Sequence, residues 1–174
     1  MFLAGDEWQA TLHGFSRSAW RLETLDVYTM PEEDEALREF RAGKRLPQDF
    51  RSGWTDRIRE HNAAGRTIGR VHVLTRPLSE YLRFEFDYYR AHGRAGEDIR
   101  ILDVTDRESP LAGVGDFWLF DDAIVVRMNY RPDGTQINRE LVTGDTGRYL
   151  DYRRIALAES VPFEEYVTRF ATGA

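Results

Sequence analysis

The sequence predicts an α+β fold with an α/β-like core. The expected sheet is mixed, of about five strands, with one parallel strand-helix-strand crossover and an antiparallel meander, flanked by N- and C-terminal helices. Three observations predict it. Arg70-Val71-His72-Val73-Leu74, Ile99-Arg100-Ile101-Leu102-Asp103-Val104 and the run from Asp116 to Val126 are the β-rich stretches fit for a buried sheet. A helix-like segment separates the first two, and strand, helix, strand over roughly 40 residues is by default a right-handed parallel crossover. Beyond them, Pro132-Asp133-Gly134 sets a turn, because proline presets one dihedral and glycine takes the positive one.

A chain of 174 residues suffices for one domain with its own core. We divide it into a helical part over 1–65, the sheet over 66–145 and closing helices over 146–174. Trp8, Leu12, Phe15, Ala19 and Leu22 recur at helical spacing. Ala19 to Tyr28 has an alternative as an extended arm, since Trp20, Leu22, Leu25 and Val27 do not hold one helical face. Met30-Pro31-Glu32-Glu33-Asp34 opens a helix with proline in its first turn and acids at the positive end of its dipole. Leu37 and Phe40 form its inner face and Gly43 stops it. A second helix from about Asp49 to Ala64 buries Phe50, Trp54 and Ile58.

Thr67 to Thr75 is a strand that Pro77 breaks, and Ser79 caps a helix running to about His92. Tyr81, Phe84, Phe86, Tyr88 and Tyr89 spread over more than one face of that helix, so it needs a second cover, expected from the N-terminal helices. Ile99 to Val104, Phe117 to Phe120, Ala123 to Tyr130 and Gln136 to Val142 are the remaining strands. Tyr149, Tyr152 and Ala156 mark a helix, and Phe163, Tyr166, Val167 and Phe170 give the stripe of a last one.

Composition excludes several functions. There is no cysteine, which removes disulfides, thiolate catalysis and Cys-based zinc sites. A net charge of −6 argues against direct nucleic-acid binding, which needs a positive footprint. The cations are almost all arginine, with Lys44 the sole lysine, as a GC-rich genome produces. No apolar run reaches a membrane span, and the first residues do not read as a signal peptide, so a cytoplasmic protein is the expectation.

No catalytic residue and no metal ligand set is readable. The histidines His13, His61, His72 and His92 are scattered without ligand spacing, and His72 is expected as a hydrogen-bonded core residue. Asp116, Asp121 and Asp122 are expected as turn acids rather than a cation site. Gly96-Glu97-Asp98-Ile99-Arg100 stands at the start of a buried strand, and we expect Glu97, Asp98 and Arg100 to be structural ion-pair residues there. Arg76 follows one parallel strand and Asp103 ends the next, at the carboxyl edge where open α/β sheets bind ligands. Arg76, Tyr81, Arg83 and Asp103 are therefore the expected ligand- or partner-binding residues, with no cofactor implied.

The ordered set Ser18-Ala19-Trp20-Arg21-Leu22-Glu23-Thr24, Tyr28, Pro77-Leu78-Ser79-Glu80-Tyr81, Gly96-Glu97-Asp98-Ile99-Arg100 and Asp116-Phe117-Trp118-Leu119-Phe120-Asp121 resembles an actinobacterial family of unknown function. That resemblance implies a gene encoded beside an XRE-type helix-turn-helix regulator, hence a non-enzymatic regulatory or partner-binding role. Strand, helix, strand and an acidic-ended hairpin are also similar to half of a phospholipase D-like domain. Active members use His-x-Lys, which is missing here, so that likeness implies a degenerate enzyme or toxin for a phosphorylated or nucleotide substrate.

Overall fold

The structure, a computed structural model, describes residues 1–170. One seven-stranded sheet runs through it in the order β6 (Gln136–Leu141), β5 (Ile124–Tyr130), β4 (Phe117–Phe120), β1 (Ser18–Glu23), β2 (Thr67–Leu74), β3 (Asp98–Asp103) and β7 (Val161–Pro162). The chain enters by α1 (Gly5–His13) and then lays down β1 (Ser18–Glu23). A 3-10 turn (Pro31–Glu33), α2 (Asp34–Arg41) and α3 (Gly53–Ala63) lead to β2 (Thr67–Leu74). Helix α4 (Glu80–Ala95) crosses to β3 (Asp98–Asp103). The meander is β4 (Phe117–Phe120), β5 (Ile124–Tyr130) and β6 (Gln136–Leu141), followed by α5 (Gly147–Glu159), the two-residue β7 (Val161–Pro162) and α6 (Phe163–Phe170).

Strands β1, β2 and β3 are parallel, and β4 joins the free side of β1 in antiparallel sense. This corrects the expected five-stranded sheet in two places. Ser18–Glu23, read from its spacing as a continuing helix or an arm, is the middle strand, and it adds a second parallel crossover through α2 and α3. Its apolar residues alternate, with Trp20 and Leu22 on one face and Ala19 on the other, which is strand period. The segment 1–65 therefore holds a strand as well as helices. The second correction is β7, which pairs with β3 through Arg100 and Ile101 inside the segment expected to be helical.

The start of β1 is fixed by a residue a hundred positions away. Asp121 sits in the left-handed region (φ 53°) of the β4–β5 turn. Its carboxylate accepts from the backbone N–H groups of Ser16, Arg17 and Ser18 at 2.7, 2.6 and 3.0 Å. Helix α4 begins as its sequence indicates, with the Ser79 hydroxyl accepting from Leu82 N–H at 3.1 Å. It ends one turn later than expected, at Gly96 (φ +113°), where an added Cβ would meet the Asn62 side chain at 1.8 Å.

Two layers close the sheet. Helix α5 lies on one face, with Tyr149 and Ala156 against Trp20, Leu22, Val71, Leu102 and Phe117. Helices α1, α3, α4 and α6 cover the other. The aromatic surplus of α4 is spent on several neighbours. Tyr81 and Phe84 pack with Leu37 and Phe40 of α2, Tyr88 meets Phe50, and Phe86 and Tyr89 meet Phe163 of α6. Among the described residues no helix is long and apolar enough to cross a membrane.

Candidate functional site

On the α4 face, alternate positions of the two central strands carry charge. Arg21 and Glu23 of β1 lie beside Arg70 and His72 of β2 in the pairing register. Arg70 is 1 % exposed and is the hub. Its guanidinium donates twice to Glu97, from Nε at 2.6 Å and Nη2 at 3.0 Å, and Nη1 donates to Glu23 at 2.8 Å. The bidentate fork is the geometry that makes an arginine–carboxylate pair both strong and directional. Nδ1 of His92 lies 3.4 Å from Nη2.

His72 is fully buried one row further along. Its Nε2 is 2.9 Å from the Leu25 carbonyl, which accepts, so Nε2 carries the proton and Nδ1 takes the Tyr89 hydroxyl at 2.7 Å. Burial pushes His72 below its ordinary value and His92 down to about 4, so both rings are neutral at pH 7.

Two carboxyls of the network are driven apart. Burial opposes the charge of Glu23, but the guanidiniums of Arg21 and Arg70 outweigh it and hold the carboxyl far below the usual range. Glu85 of α4 faces the same space, with its nearest oxygen 4.0 Å from Arg70 Nη1. Burial and the Glu23 carboxylate push Glu85 well above the usual range. Charge balance gives the reason: Arg21 and Arg70 already meet Glu23 and Glu97, so a further carboxylate has no counter-charge. A third acid, Asp116, is raised by burial to about 6 although it accepts from Thr24 N–H, the Thr24 hydroxyl and the Tyr28 hydroxyl.

Above this network opens a cleft of about 750 Å³ between α4, α1 and the 28–33 segment, over β1 and β4. Aromatic side chains wall it, among them Trp118 with Trp8 and Trp54 set edge to face against it, and the neighbouring rings of Tyr28 and Tyr81. Strand order reverses at β1, where the chain leaves the β1-β2-β3 run and returns on the opposite side as β4. In open α/β sheets such a reversal is where a crevice forms.

Three polar atoms of the cleft-lining residues are buried without a hydrogen-bond partner: Arg21 Nε, Arg139 Nε and Glu85 Oε2. Arg21 Nε lies 3.2 Å from Glu23 Oε1, but out of line for a hydrogen bond, so the contact is an ion pair only. Each guanidinium rests on an indole, Arg21 at 4.9 Å from the Trp118 ring and Arg139 at 4.9 Å from that of Trp8. The two indoles meet edge to face at 6.4 Å.

Glu23, His72 and Glu85 bring one donor atom each within 4.8 Å of one another. The set does not suit a cation, because the Arg70 charge already sits 2.8 Å from Glu23.

The residues expected from sequence divide between separate places. Of the ligand candidates, Tyr81 lines the cleft, where its hydroxyl donates to Glu33 at 2.8 Å. Arg76 and Asp103 are joined at 2.7 Å outside it, and Asp103 also accepts from Tyr166 of α6 at 2.8 Å. Arg83 is exposed and donates to the Leu78 carbonyl at 2.9 Å. Glu97 is the carboxylate of a buried ion pair whose partner is Arg70. Arg100 turns instead to Ser160 beside β7, and Asp98 is an exposed first residue of β3. Asp121 and Asp122 face different partners, Asp122 bonding Arg153 at 2.5 Å, so the acidic set does not converge.

Sequence reasoning missed Arg21, Glu23, Arg70, Glu85 and Arg139. A signal was available for Arg70 and His72: charged or titratable residues at alternate positions of a strand otherwise fit for burial.

Fold and site together define an α+β protein with an aromatic cleft built on a buried arginine–carboxylate network. The chain belongs to the family described as a domain of unknown function (DUF6879), whose family model matches residues 6–168. No curated protein matches it.

Proposed function

We propose that this chain is a non-enzymatic regulatory protein that takes a small molecule into the cleft and works with a helix-turn-helix transcriptional regulator. The cleft carries the reading, because it presents Arg21 Nε, Arg139 Nε and Glu85 Oε2 without partners. A buried polar atom left unpaired costs about 1–3 kcal/mol, and a bound molecule recovers that cost. Binding is favoured over turnover because, among the described residues, no serine or threonine hydroxyl of the cleft bonds a histidine as a nucleophile–base pair would. The regulator enters through the resemblance to an actinobacterial family encoded beside such proteins, and a cytoplasmic location goes with it. Co-expression with the neighbouring helix-turn-helix protein tests the partnership: a complex that survives gel filtration is expected, and two separate peaks at micromolar concentration would end it.

The enzyme reading, a degenerate phospholipase D-like domain acting on a phosphorylated or nucleotide substrate, has one observation of its own. Glu23 and Glu85 are neighbouring carboxyls driven in opposite directions, Glu23 down by the Arg21 and Arg70 guanidiniums and Glu85 up by burial and Glu23, which is how acid–base pairs are made. It expects Glu85→Gln to abolish turnover of a phosphodiester or nucleotide while leaving binding intact. Absence of turnover in the wild-type protein across such substrates removes it.

A further inference from the structure

The cleft also indicates the kind of molecule it takes. Its unpartnered groups have one thing in common. The Nε–H of Arg21 and the Nε–H of Arg139 are donors without an acceptor. Glu85 Oε2 is a third unpartnered atom, on a carboxyl that burial and the Glu23 carboxylate push toward its protonated, donating form. The neighbouring carboxylates have donors already: Glu23 from Arg70, and Asp116 from Thr24 and Tyr28. Arg139 is the more telling of the two arginines. Burial lowers its pKa against the opposing pull of Tyr130 and Glu32, and the indole of Trp8 lies against it. What the site lacks is an acceptor.

We infer that the cleft binds an organic oxyanion, a carboxylate or phosphate monoester on a planar ring, with the oxyanion on Arg21 and Arg139 and the ring beside Trp54. Guanidinium groups pair with carboxylate and phosphate through parallel N–H bonds, and each is pre-oriented here by the indole beneath it. The ring has the part-buried Trp54 to stack on, since Arg21 and Phe120 cover Trp118 and Arg139 lies on Trp8. This inference rests on the cleft being a ligand site, as proposed above, and adds the chemistry of the ligand.

The test uses the whole chain and four probes of similar size: benzoate, phenyl phosphate, neutral benzamide and cationic benzylamine. Binding is followed by tryptophan fluorescence and by calorimetry. Benzoate or phenyl phosphate is expected to saturate, with benzamide and benzylamine at least about tenfold weaker. Whichever oxyanion binds more tightly separates a carboxylate site from a phosphate site. Arg139→Gln is expected to weaken the oxyanion by at least about tenfold and to leave the melting temperature near that of the wild type, since no carboxylate loses its partner. Unchanged oxyanion affinity in Arg139→Gln would overturn the assignment. Tighter binding of benzylamine would overturn it while keeping the cleft as a ligand site. Saturation by none of the four would remove both.

Discussion

The two faces of the central strands are built from neighbouring residues and solve opposite problems. Toward α5, β1 and β2 present Trp20, Leu22, Val71 and Val73, an apolar surface closed by Tyr149 and Ala156. Toward α4, the alternate residues of the same strands are Arg21, Glu23, Arg70 and His72, and three of these four are at least as well buried as the apolar set. The first face stabilises by removing hydrocarbon from water. The second gains little net stability, because the desolvation of each charge consumes most of what its partner returns. A sheet needs the first face to exist. The second is best understood as the floor of the cleft, held in one geometry by pairing every charge but leaving certain donors open.

This comparison can be broken most directly at Arg70 and Glu97. Glu97→Ala removes the bidentate partner of a buried guanidinium, leaves Arg70 only Glu23, and is expected to cost about 3–5 kcal/mol in urea unfolding. Because Arg70 also serves Glu23, the triple variant Arg70→Met with Glu23→Gln and Glu97→Leu removes the guanidinium and both of its carboxylates together, and is expected to regain most of that loss. A triple variant as unstable as the single one would show that the charged face supports the sheet in the same sense as the apolar face. On that apolar face, Leu22→Ala opens a void in the middle strand, with an expected cost of about 3 kcal/mol that no second substitution across the sheet restores.

Acidity sharpens the contrast, since only the charged face titrates. The folded value of His92 lies below its ordinary 6.5, at about 4. Its contribution to stability is therefore whole above pH 6.5 and is lost as pH falls toward 4. Asp116 runs the other way. Raised from 3.8 to about 6, it contributes fully in acid and loses that contribution as pH rises through 6. The two partly cancel in the wild type. Relative to wild type, His92→Gln is expected to gain about 1–2 kcal/mol between pH 8 and pH 5, read as the difference of two unfolding curves. A difference independent of pH would mean that the ring is solvated in the folded protein. The smallest effect is expected at the sheet's carboxyl edge, where Arg76→Ala breaks an exposed pair with Asp103 and leaves the unfolding midpoint where it was.

Most of the sheet was legible because its strands announce themselves locally. Thr67–Leu74, Phe117–Phe120 and the hairpin after Asp121-Asp122 combine β-branched or aromatic residues with turn residues at their ends. The middle strand was not legible, for a physical reason. Arg21 and Glu23 look like a solvent face, and the Trp8-to-Leu22 spacing continues a helical stripe across a break at Gly14. Only the tertiary cover of α4 makes the polar side of β1 an interior. β7 is two residues long, below any periodicity.

The site shows the same limit. Glu97 was readable as an ion-pair member because it stands at a strand start. Its partner Arg70 is 27 positions away and Glu23 is 47 positions from Arg70, so no local spacing links them. Arg76 and Asp103 were placed correctly at one edge by topology, but the cleft lies where strand order reverses, a property of β4's return to β1 that the sequence does not display.

The place of β1 in the sheet has a consequence for how this protein is made. The strand is synthesised well before either of its neighbours, β2 at residue 67 and β4 at residue 117. Its N-terminal anchor, Asp121, comes later still. Until synthesis passes roughly residue 120, Trp20 and Leu22 lie beside an unpaired strand edge, the kind of surface that chaperones bind and that aggregates. Folding is therefore largely deferred until the meander is synthesised, and the charged floor of the cleft and its walls are completed in the same closing event.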